Sequence, residues 1–209
     1  MRGKIRIIFT TLLLLLAVCI TSLSSCVDKR GVRVADMSLE ELEECVNICK
    51  YKDVEIALGS LESRGEAIVE YIEINSAIKD YPDGTVNYYA EQLEEQYRYY
   101  AQQADMKYEE MLDQLSEDNF TMNAEAKKLV KKDMIFELIR KKEDITLTEE
   151  EKNEFFDKYV KKYAEVYKYS EDYVREELRE LVYDLMLYDK TVEFLIINNR
   201  FVENTAEQT

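Results

Sequence analysis

The chain has 209 residues, with 44 acidic against 28 basic side chains, a formal net charge of −16, and neither histidine nor tryptophan. That charge repels polyphosphate, because nucleic-acid binding depends on Lys and Arg neutralising phosphates, and the missing histidine excludes Ser-His-Asp and Cys-His catalysis, His-containing zinc sites and a histidine general base. One proline, five glycines and 34% charged residues leave too few turn formers for a sheet protein, so the chain reads as mainly helical, all-α in class.

Arg2, Lys4 and Arg6 precede fourteen residues, Ile7 to Ile20, interrupted by Thr10 and Thr11 alone. A membrane-spanning helix needs about 20 apolar residues, whereas a secretory signal needs roughly 7 to 15 followed by small residues. Residues 1–25 therefore read as a signal peptide. Leu23-Ser24-Ser25-Cys26 resembles the bacterial lipobox, which implies cleavage between Ser25 and Cys26 and a diacylglyceryl group on the Cys26 thiol. Two acyl chains, at about 0.8 kcal/mol per buried methylene, anchor stably where one binds marginally. An uncleaved anchor and a cytosolic chain are the alternatives; charge, length, small residues and cysteine together favour the lipoprotein. The expected location is the extracytoplasmic face of a bacterial cell membrane. Loss of residues 1–25 removes three basic residues and no acidic one, leaving 184 residues at a net charge of −19. Residues 26–37 show no sustained period and read as the lipidated tether.

Residues 38–65 read as a short linker. Ser38-Leu39-Glu40-Glu41 has the pattern of an N-cap with acidic first-turn residues, but Val46 to Leu58 fits a short extended stretch equally well. Cys45 and Cys49 are spaced C-x3-C, unlike a C-x2-C redox pair or a zinc pair. On a helix they share a face without disulfide geometry, and on a strand they lie too far apart. Two structural thiols are expected, a redox or metal role being the alternative.

A helix is expected over Leu61 to Lys79, with Ile68, Ile72 and Ser76 on one side, ending before Tyr81-Pro82-Asp83-Gly84, where proline and Asp-Gly make a turn. A long helix starts near Thr85, for Val86, Tyr89, Leu93, Tyr97, Tyr100 and Ala104 recur at helical spacing. A short helix follows over 108–116, then a long one from Ala124 to Lys142 carrying Ala126, Val130, Met134 and Leu138. Thr148 and Glu151 form a capping box for a helix with Phe155, Phe156, Tyr159, Val160 and Tyr163, and Ser170 caps the next. Leu178, Leu181, Leu185, Tyr188, Val192 and Leu195 make a heptad-like seam too short for an intermolecular coiled coil. Residues 203–209 are expected to fray.

The order and spacing of these elements resemble the C-terminal domain of trigger factor. The features are Pro82 before a long helix, the helix Leu129 to Ile139, Ile145-Thr146-Leu147-Thr148 with Glu151, and a closing segment Thr191 to Leu195. The similarity covers about residues 66–202. Cys45 to Glu55 is similar to the opening of that family's FKBP-type prolyl isomerase domain, with Cys49 and Asp53 where the pattern has glycine. About ten residues separate Ile56 from the helix near Ala67, far too few for an isomerase, and the ribosome-docking G-F-R-x-G-x-x-P motif is absent. Neither isomerase activity nor ribosome binding is expected.

What the resemblance implies is an elongated multi-helix chaperone domain with helical arms, like the SurA-type chaperones, and, as the alternative to a linker over 38–65, a remnant of the isomerase domain's edge, extended near residues 46–58. Its site holds unfolded or nascent secreted polypeptides on apolar surface, at roughly 25 cal/mol per Å² removed from water, without catalytic residue, metal or cofactor. Tyrosine suits such a surface, its ring apolar and its hydroxyl tolerant of water. Tyr88, Tyr99, Tyr108, Tyr167 and Tyr169 are the candidate contacts, against the alternative that each packs helix on helix. The rival function is a structural or adaptor lipoprotein that binds one defined protein partner.

Overall fold

The computed structural model describes residues 32–59, 63–115, 120–167 and 169–203, and of residues 103, 114–115 and 166–167 the backbone alone. The signal peptide, Ser25, Cys26 and the tail 204–209 lie outside the described residues. Among the described residues a 3-10 turn, Val34–Asp36, precedes eight α-helices and four short strands: α1 (Leu39–Cys45), β1 (Val46–Asn47), β2 (Glu55–Leu58), α2 (Arg64–Asn75), β3 (Ala77–Ile78), α3 (Thr85–Gln103), α4 (Tyr108–Leu115), α5 (Met122–Lys142), α6 (Glu149–Tyr167), α7 (Glu171–Glu177), α8 (Arg179–Ile197) and β4 (Arg200–Glu203). The architecture is mainly helical, as expected. Contacts divide the described residues into one unit of 32–37 with Asp80–Met134, and a second of Ser38–Lys79 with 135–203. These units do not follow the sequence blocks 26–37, 38–65 and 66–202.

In the first unit the tether reading changes from Val32 onward. Val34 and Met37 are each 2% exposed, and the buried Thr85 hydroxyl donates to the Val32 carbonyl at 2.8 Å. Pro82 disfavours helix at Tyr81, and Gly84 takes φ 76 as the residue before α3, a conformation that glycine adopts without a Cβ clash. α3 then starts at Thr85, as expected. Its buried side carries Thr85, Tyr88, Tyr89, Leu93, Tyr97 and Ala101, so the expected stripe is right at three positions and shifted at its ends; Ala104 is already the C-cap. The helix stops at Asp105, φ 51, where Met106 N–H donates to Ala101 O and Asp105 N–H to Gln102 O. That pair of bonds closes a helix end through a left-handed residue. Met111 of α4 and Ala126, Val130 and Met134 of α5 complete the buried set.

In the second unit Ser38 and Glu41 form a reciprocal capping box at α1. The ambiguous segment 46–58 is extended at both ends: β1 pairs antiparallel with β3, Val46 opposite Ile78, and β2 pairs parallel with β4, Ile56 opposite Phe201. Glu203 is thus a strand residue, not the start of a frayed tail. α2 begins at Arg64 because Ser63 and Glu66 form a second capping box, and ends before Ser76; Ile68, Ile72 and Ser76 are buried together. Gly65 permits close packing on α8, since a Cβ there would stand 3.3 Å from Val192 Cγ1. The last turns of α5 bury Ile135, Phe136, Leu138 and Ile139, positions all round the helix, as a central helix requires. The Phe136 ring stacks on Tyr188 of α8 at 5.0 Å. The expected seam is interrupted at Leu178, where α7 ends and α8 begins; Leu181, Leu185 and Leu195 beyond it are buried.

Candidate client-binding surface

The tyrosines divide by the fate of their hydroxyls. Tyr89 donates to Asp133 at 2.7 Å, Tyr51 to Glu143 at 2.6 Å and Tyr159 to Asp189 at 2.5 Å. The Tyr89 ring is buried and the Tyr51 and Tyr159 rings are half-buried, and each phenol meets a carboxylate, which removes the cost of an unpaired polar group. Burial and the adjoining carboxylate raise the Tyr159 and Tyr51 hydroxyls well above the ordinary phenol range, and burial pushes Tyr97 up to about 12. These side chains belong to the framework.

Tyr88, expected at the client surface, is a correction. It is 4% exposed and packs edge-on to Tyr89 at 5.9 Å; lying one position from Tyr89, it shares the wide apolar face by which α3 docks. Tyr99 is 42% exposed, its ring edge-on to Tyr100 at 5.9 Å. Tyr108 is half-buried beneath the Arg98 guanidinium, 4.2 Å from its centroid. Arg98 in turn pairs with Glu94 at 2.6 Å, so a cation–π contact and an ion pair hold Tyr108 in place. In the second unit Tyr169 is half-buried and rests 5.1 Å from Tyr173. The Tyr167 side chain lies outside the described residues.

Two exposed rings escaped the sequence reading, Phe155 at 38% and Tyr173 at 43%. Phe155 precedes Phe156, and on a helix neighbours diverge by about 100°; the buried side of α6 is narrower here than that of α3, and Phe155 falls outside it. Phe156 faces inward, 5.3 Å from the Tyr183 ring, with the Arg175 and Arg179 guanidiniums 5.6 and 5.1 Å from its centroid. Tyr173 is the third residue of α7, whose Ser170 cap accepts from Tyr173 N–H. The cap gave the helix start, but seven residues carry too little periodicity to give its buried side.

Chemically each unit, taken by itself, offers rings, guanidiniums and carboxylates. Cys45 and Cys49 are half-buried and form no disulfide, and among the described residues no three His, Cys, Asp or Glu side chains group for a metal. No described helix is long and apolar enough to cross a membrane.

Helical framework and outward rings fit a domain of chaperone type. Residues 58–197 match the family described as bacterial trigger factor protein (TF) C-terminus. The match spans more than half of the chain, which therefore belongs to that family. It begins eight residues before the expected boundary at 66. The chain matches no curated protein and no solved structure.

Proposed function

We propose that the protein is a lipid-anchored, extracytoplasmic holdase that binds unfolded secreted polypeptides and performs no catalysis. Membership of the trigger factor C-terminus family supports the chaperone reading. The observation that carries the site is the exposure of Tyr99, Phe155 and Tyr173 on long or capped helices, where rigid rings meet apolar client segments at little entropic cost. The lipobox-like sequence ending in Cys26 supports the anchor and hence the location. Ribosome and nucleic acid have no place in this reading.

Photo-crosslinking in cells from residues 99, 155 and 173 tests it. A holdase yields adducts with many unrelated secreted chains. One dominant adduct of fixed stoichiometry would instead identify an adaptor.

A further inference from the structure

We infer that the turn end of the first unit faces the lipid surface, with Lys127 and Lys131 meeting anionic headgroups beside the anchor. The inference rests on the lipoprotein reading and adds a surface and a partner to it. Three observations meet at the turn 81–85. Thr85 holds the Val32 carbonyl at 2.8 Å, and with Val34 and Met37 buried the chain is fixed to this unit from Val32 onward. Six residue steps separate Val32 from Cys26, and an extended chain advances at most about 3.6 Å per residue, so the anchored sulfur lies within roughly 22 Å of this turn. Tyr81, on the same turn, donates to the Lys127 carbonyl at 3.4 Å and lies under its ammonium, 5.9 Å from the centroid.

Charge then selects the occupant. Along α5 the acidic chain gathers Lys127, Lys128, Lys131 and Lys132. Lys128 is paired with Glu125 and Lys132 is buried. Lys127 and Lys131, one helical turn apart and thus on one face, are exposed and half-exposed and have no carboxylate partner among the described residues. Asp80 and Asp83 belong to the turn, and Asp80 already accepts from Tyr81 N–H. Screening confines the repulsion of the rest of the chain to about 10 Å; Asp80 and Asp83 keep their charge, and it is Lys127 and Lys131, without a carboxylate in ion-pair contact and beside a half-buried tyrosine, that fit an anionic headgroup layer.

The test uses the full lipidated chain in vesicles of neutral phosphatidylcholine and of the same lipid with phosphatidylglycerol. A membrane-impermeant amine reagent is pulsed, and labelling is read by mass spectrometry at Lys127, Lys131 and the exposed Lys107 as control. Lys127 and Lys131 should label about fivefold more slowly on the anionic vesicles, the factor that one cation's attraction to such a surface supplies. About 1 M salt, which shortens screening to about 3 Å, should restore them. Equal labelling of all three lysines on both vesicles overturns the inference while leaving the anchor intact. A Cys26 peptide without the lipid mass overturns the lipoprotein reading itself, and this inference with it.

Discussion

Asn199 is the side chain on which the junction between the chain's two ends depends. Its Oδ1 accepts from Val54 N–H at 2.9 Å, and its Nδ2 donates to the Tyr51 and Leu195 carbonyls at 2.8 and 2.7 Å. Asn199→Ala leaves those part-buried backbone groups unpaired and should destabilise the protein by about 2–3 kcal/mol, read as a lowered midpoint in urea; an unchanged midpoint contradicts the assignment. Asp105 and Asp144 sit at φ 51 and 52 where helices α3 and α5 end. Glycine takes that conformation without a Cβ clash, so Asp105→Gly or Asp144→Gly should raise stability by about 0.5–1 kcal/mol in the same measurement. None of these roles was legible in the sequence: the helix-stopping residue is conventionally glycine, and nothing local to Asn199 announces partners near residue 54.

Among elements, α6 shows a sequence signal and a tertiary addition to it. Thr148 N–H donates to Glu151 and Glu151 N–H to Thr148 Oγ1, the capping box read from the chain. Lys190, thirty-nine residues on, adds two contacts to the same carboxylate at 2.5 and 2.7 Å. First Lys190, then the Thr148 amide, holds the Glu151 carboxyl at about 2, below its ordinary 4.5. The folded value is the lower, so the stabilisation is complete above pH 4.5 and is lost as pH falls towards about 2. Glu151→Gln should flatten the dependence of the denaturation midpoint in that window; an unchanged slope would show that Glu151 is uncoupled from folding. Helices with caps or long periods, α2, α3, α5 and α6, were legible for this reason. β4 was not, and β2 was only one of two readings of residues 46–58, because each has four residues and takes its partner from far along the chain.

At the scale of the whole molecule the family, the mainly helical class and the order of helices were readable because caps and apolar spacing are local. The surface was less so. Helical spacing gives a buried side whose width depends on what packs against it, and so Tyr88 went in while Phe155 and Tyr173 stayed out. The proposed activity belongs to the outward rings of each unit, Tyr99 in the first and Phe155 and Tyr173 in the second. Replacing Tyr99, Phe155 and Tyr173 with serine should leave the thermal transition within a few degrees, since exposed positions change stability by about 0.5 kcal/mol or less each, while removing apolar contact worth roughly 25 cal/mol per Å² from client binding.

The most direct measurement is light scattering by several unrelated denatured proteins during dilution, with the purified chain present at near-stoichiometric ratio and no ATP. The wild-type protein is predicted to suppress aggregation of all of them, and the triple serine variant to suppress it markedly less. Aggregation of every client at its unassisted rate would contradict the holdase account, and equal protection by the variant would contradict its placement on Tyr99, Phe155 and Tyr173.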